Sequence, residues 1–119
     1  MYEITVRESF SAAHKLRGHP GPCGNIHGHN WTVEAYFSSE KLDGHSMVID
    51  FDDVSRALGR IMGVLDHKLI NDVPPFDKEN PTAEKIAEWI FNELKKGLPL
   101  HPSRVTVHET DSTSASYSP

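Results

Sequence analysis

An α+β fold, with a four-stranded antiparallel sheet and two helices packed on one of its faces, is what the order of patterns along this chain predicts. Three observations predict it. Two long runs near the N-terminus alternate in polarity with a period of two. Two later segments space their apolar residues by threes and fours. Two short runs of strand-forming character close the chain.

The first strand is "YEITVRESFSAAH", residues 2–14. Tyr2, Ile4, Val6, Phe10, Ala12 and His14 share one parity and therefore one face. Residues 16–26, "LRGHPGPCGNI", are rich in glycine and proline and form a loop. "HGHNWTVEAYF", residues 27–37, is the second strand, with His27, His29, Trp31, Val33, Ala35 and Phe37 on one face. "SSEKLDGHS" is a turn and "MVI" a short extended lead-in. The first helix begins near Asp50, an N-cap residue, with Asp52 and Asp53 favourable to the helix dipole. Phe51, Val54, Leu58, Ile61, Met62 and Leu65 make its apolar stripe, and it ends around "LDHKLIND". The second helix starts at "NPTAEK", capped by Asn80 or Thr82 with Pro81 in the first turn, and buries Ile86, Ala87, Ile90, Phe91 and Leu94. "KKG" closes it. "SRVTVHE" is a third strand and "SASY" a fourth.

The 119 residues suit one domain, residues 1–119. At 37% hydrophobic content the core is modest, and an open sheet has two edges that invite pairing. Oligomerisation that joins sheets is therefore expected. A formal net charge of -5 argues against nucleic acid or an anionic membrane as the main partner. One cysteine makes no internal disulfide, the N-terminus lacks a basic head before an apolar run, and no apolar run approaches ~20 residues. A cytoplasmic location is expected.

The chemistry centres on "CGNIHGHN", residues 23–30. His27 and His29 lie two apart on a strand, so both imidazoles face one way and reach one ion. A hairpin-like connection brings His14, at the end of the first strand, alongside them. Three histidines and an open fourth position form the donor set of a catalytic zinc. Cys23 has three readings: a small buried side chain, a fourth metal ligand, or a base or nucleophile beside the metal. Asp66 and His67 are neighbours at a helix end, where a carboxylate fixes an imidazole tautomer or a helix dipole favours the imidazolium. Glu109 shares parity with Val105 and Val107, pointing inward at a strand end where a bidentate donor pair would satisfy it.

"FSAAH", "CGNIHGHN", "VIDFDDV", "LDHKLIN", "NPTAEKIAEWI" and "VHET" occur in an order that resembles the 6-pyruvoyl-tetrahydropterin synthase family across essentially the whole chain. The C-x3-H-x-H spacing looks most like its bacterial 6-carboxytetrahydropterin synthase branch, which serves queuosine and deazapurine biosynthesis. The resemblance implies a tunnelling fold: trimers closed into a twelve-stranded barrel with helices outside, two trimers stacked into a hexamer, and active sites between subunits. It implies zinc on His14, His27 and His29, with Cys23 as general base. It puts His67 in a relay with that thiol and Asp66 orienting the imidazole. Glu109 anchors the pterin ring and counts with the relay, while Thr82 and Glu84 line the pterin pocket. The implied substrate is 7,8-dihydroneopterin triphosphate, giving 6-carboxy-5,6,7,8-tetrahydropterin, acetaldehyde and triphosphate. Two alternatives are a 6-pyruvoyl product without carbon–carbon cleavage, and a non-catalytic zinc-stabilised binding module with Cys23 as fourth ligand. Lys15, Arg17 and Lys68 are candidates to meet the triphosphate. His108 has no assigned role, and His19, His45 and His101 read as solvated loop residues.

Overall fold

The computed structural model describes residues 1–119. Strands β1 (Tyr2–His14) and β2 (His27–Ser39) are followed by helices α1 (Phe51–Leu65) and α2 (Ala83–Gly97), then by β3 (Arg104–Thr110) and β4 (Thr113–Tyr117). The strands form one antiparallel sheet in the order β1-β2-β3-β4. Period-two alternation sets the register. His14 pairs with His27 and Ala12 with His29, so the apolar parity of both strands faces the same way. Val6, Phe10, Trp31, Val33, Ala35, Phe37, Val105 and Val107 are buried on that face against Leu58, Met62, Ile86, Ile90 and Leu94 from the two helices. The opposite face is polar. There Arg7 and His108 both donate to Glu34, at 2.9 and 2.5 Å, across three strands, and this ion-paired network is where His108 is used.

Each helix starts where a side chain replaces a missing backbone partner. Asp50 accepts from the Asp52 N–H at 2.8 Å and Thr82 from the Lys85 N–H at 3.1 Å, each cap contributing about 1 kcal/mol. Thr82 is thus the cap of α2, and Pro81 lies before it rather than in the first turn. Asn80 does not cap, because its carboxamide bonds the backbone of Arg17 instead. Phe51 also departs from the expected stripe. It is 58% exposed in the first turn of α1, which overhangs the core beside the exposed Tyr2 and Leu42. "MVI" forms no strand, although Ile49 is buried.

The segment after α1 closes part of the outer edge of β1. The His67 N–H donates to the Ser11 carbonyl at 2.6 Å and the Ala13 N–H to the Lys68 carbonyl at 3.0 Å. Towards its N-terminal end the outer edge of β1 remains open, as does that of β4. No helix is long and apolar enough to cross a membrane.

Candidate metal centre

The strand ends bring four donors together. His14 closes β1, His27 and His29 open β2, and Glu109 stands near the end of β3. One nitrogen from each imidazole and a Glu109 oxygen all lie within 4.8 Å of one another. The rings stand edge to face, with centroids 4.5 Å apart for His14 and His27, and 4.9 Å for His27 and His29. Trp31, fully buried, forms the floor. Its ring lies 4.9 Å from His14 and 5.2 Å from His29, and its N–H donates to the Ala12 carbonyl at 3.1 Å.

Backbone carbonyls set the tautomers. His14 Nδ1 meets the Pro81 carbonyl at 2.8 Å and His27 Nδ1 meets that of Asn25 at 2.8 Å. A carbonyl only accepts, so each Nδ1 carries the proton and each Nε2 presents a lone pair. The Nε2 atoms of His14 and His29 are buried with no hydrogen-bond partner. Burial pushes both imidazoles below their ordinary pKa; Glu109 opposes this for both, and the Pro81 bond opposes it for His14. Both are therefore neutral near pH 7. Glu109 oxygens sit 3.4 Å from His29 Nε2 and 3.8 Å from His14 Nε2. Neutral imidazole lone pairs and a carboxylate, gathered without a donor among them, fit a cation. The residues present therefore suit a bound metal ion.

The sequence-predicted residues divide into those that converge here and those that do not. His14, His27, His29 and Glu109 do. Glu109 points inward at its strand end and stands beside His14 and His29, because β3 pairs with β2 and its bulge between His108 and Thr110 marks the strand end. Cys23 is not among the four converging donors, so the zinc module closed by a cysteine has no support in this geometry. Cys23 is half-buried in a short 3-10 turn, Pro22–Gly24. The Leu16 N–H holds its carbonyl at 2.9 Å. Gly24 is required beside it, because a Cβ there would stand 2.6 Å from the His19 carbonyl oxygen.

Asp66 and His67 lie on the outer edge of β1. Asp66 accepts from the Ser11 N–H at 2.9 Å and holds His67 Nδ1 at 2.9 Å, which leaves the other ring nitrogen facing solvent. His67 has φ 58°, in the left-handed region, at a cost of roughly 1–2 kcal/mol for a residue with a Cβ. It follows the C-cap of α1, where glycine is the usual residue. Thr82 uses its hydroxyl as the α2 cap, and Glu84 is exposed on the first turn. The Arg17 guanidinium donates to the carbonyls of Phe76, Glu79 and Asn71. Lys15 and Lys68 gain no anion-binding partner here.

The Ser11 bond, then the His67 bond, hold the Asp66 carboxyl below the ordinary carboxylate range. Its folded pKa lies below its unfolded value of about 3.9, so the stability it contributes is complete above that value and lost as pH falls through the folded one. Asp66→Asn is expected to melt below the parent at pH 7, with the gap narrowing towards pH 3. A gap of equal size at both pH values would overturn this account of the edge clasp.

Three comparisons place these features among known proteins. Residues 3–119 match the family model described as 6-pyruvoyl tetrahydropterin synthase. A Synechocystis protein named 6-carboxy-5,6,7,8-tetrahydropterin synthase is 38% identical over 124 residues, covering 98% of this chain and 93% of that one. An Archaeoglobus fulgidus protein given the same name provisionally is 41% identical over 107 residues, covering 89% and 88%. Among solved structures, a Caenorhabditis elegans 6-pyruvoyl tetrahydropterin synthase superposes with a TM-score of 0.91 at 26% identity, covering 99% of this chain and 95% of that one.

Proposed function

Because this chain belongs to the 6-pyruvoyl tetrahydropterin synthase family, we propose that it is a zinc-dependent lyase converting 7,8-dihydroneopterin triphosphate to 6-carboxy-5,6,7,8-tetrahydropterin, with release of acetaldehyde and triphosphate. The product feeds 7-deazapurine (queuosine) biosynthesis. The observation that carries the metal part of this reading is the convergence of His14, His27 and His29, with the buried Nε2 atoms of His14 and His29 left without a partner. The names of the bacterial and archaeal relatives support the 6-carboxy product.

His14, His27 and His29 would hold the zinc, which when bound supplies Lewis acidity that acidifies a substrate hydroxyl. Cys23 is the base that takes a proton from the substrate side chain. His67, held by Asp66 through Nδ1, presents its other nitrogen as the relay for that proton. Glu109 anchors the two-donor edge of the pterin ring, with Thr82 and Glu84 along the pocket wall. His67 is 81% exposed, which supports a relay completed between subunits. The open edges of β1 and β4 support a homohexamer of two trimers. A sedimentation mass near the 13.3 kDa of one chain would remove that shared site.

Mass analysis of products from 7,8-dihydroneopterin triphosphate tests the activity. Acetaldehyde with a 6-carboxy pterin is expected. A 6-pyruvoyl pterin without acetaldehyde would establish the alternative that the C. elegans neighbour favours. An unchanged substrate would overturn both.

Glu109 divides two roles. As the ring anchor, Glu109→Ala keeps zinc and weakens pterin binding by about 1–3 kcal/mol, the cost of leaving a donor pair unmatched. Its position 3.4 Å from His29 Nε2 favours a second role, as fourth metal donor. Loss of zinc from the variant, with unchanged pterin affinity in what remains loaded, would establish that role instead.

A further inference from the structure

His14 is the one ligand candidate that lies at the end of its strand with its ring bonded to a distant segment, the carbonyl of Pro81. What holds that carbonyl in place is a feature of the chain outside the site. Immediately after His14, residues 15–17 run beside residues 71–80, and the two stretches are joined by side-chain amides. The Asn71 carboxamide accepts from the Lys15 N–H at 2.8 Å and donates to the Lys15 carbonyl at 2.9 Å. The Asn80 carboxamide accepts from the Arg17 N–H at 2.8 Å and donates to the Arg17 carbonyl at 3.0 Å. Each amide thus behaves as one residue of an additional strand. The Arg17 guanidinium fastens the same loop from the other side, through Phe76 at 2.8 Å and Glu79 at 3.1 Å.

We infer that Asn80 and Asn71 are positioning residues of the metal centre: their paired amide bonds fix Pro81 against His14 and so aim the His14 Nε2 lone pair. The argument is one of connectivity. Asn71 binds the residue next to His14, and Asn80 is the residue next to Pro81. The four amide bonds therefore fix the two ends of the His14–Pro81 contact relative to each other. Only a carboxamide can do this. A carboxylate at position 80 keeps the acceptor for the Arg17 N–H but turns lone pairs towards the Arg17 carbonyl. Hydrogen-bond partners behind a ligating histidine fix its tautomer and direction, and their loss typically costs about 10–100-fold in metal affinity.

The inference rests on the reading that His14 is a metal ligand, and the test separates the two. Zinc affinity of the full chain is measured by competition with a chromophoric chelator, on samples shown to be folded by circular dichroism. His14→Ala must bind zinc more weakly than the parent; equal affinity would overturn the ligand assignment and this inference with it. Given that loss, Asn80→Ala is expected to bind zinc about 10–100-fold more weakly than the parent, and its cobalt(II) complex to show a shifted visible spectrum. A purely structural role predicts a lower melting temperature with the affinity and the spectrum of the parent. That result, zinc affinity within twofold in the folded variant, overturns the inference. Should Asn80→Ala fail to fold, the near-isosteric Asn80→Asp is read by the same two measurements.

Discussion

His29→Ala is expected to lose bound metal and activity together, and His27→Ala to do the same. Both imidazoles project from one strand face into a cluster whose donor atoms lie within 4.8 Å of one another. Removing either takes a donor from the centre itself, so the loss of affinity should exceed the roughly 10–100-fold that a partner outside the ligand set costs. Elemental analysis of the purified variant gives the first reading. The second is thermal: a ligand at a thousandfold excess over its dissociation constant stabilises the folded state by about 4 kcal/mol, and the variants should lose that response to added zinc. A full zinc complement in either one would sink the assignment.

Cys23→Ala is expected to behave in the opposite way, with zinc retained, melting near that of the parent, and turnover reduced by roughly 10²–10⁴, the usual worth of a positioned acid–base group. The donors gathered at the centre are three imidazoles and the Glu109 carboxylate, with the thiol elsewhere on its 3-10 turn. Deleting the sulfur therefore leaves the metal donors intact. Substrate should still bind, and remain unconverted long enough for structural trapping. A variant that lost zinc and melting temperature instead would make Cys23 a ligand and remove the base from the mechanism.

The parts of this fold that were legible in the sequence are those governed by local periodicity. The alternation through residues 2–14 located β1 to its ends, and the same alternation through His27, His29 and Trp31 predicted which imidazoles share a face. Register then followed from the hairpin, putting His14 opposite His27. Helix starts were legible to within a cap, because Asp50 and Thr82 offer side-chain acceptors in the right places. What local pattern could not show was convergence between distant segments. Glu109 is 80 residues beyond His29, and only the pairing of β3 with β2 brings it to the histidines. The bonds from Arg17 to the Phe76 and Glu79 carbonyls were not legible either, because backbone partners leave no mark in a sequence. Phe51 fits the helical stripe by spacing, yet the first turn of α1 reaches past the sheet that would bury it.

The floor of the metal centre has an optical consequence. Of the two tryptophans, Trp89 packs against Phe76 from the middle of α2, whereas Trp31 has the His14 and His29 imidazoles within about 5 Å of its ring. An excited indole gives up an electron readily to a protonated imidazole or to an open-shell metal ion at that range. Its emission should therefore dim when His14 or His29 takes a proton, or when cobalt(II) enters, and stay bright when closed-shell zinc does. With Trp89→Phe as the background, the remaining fluorescence follows cobalt(II) entry and the protonation of these imidazoles, in the unlabelled protein and on the timescale of mixing.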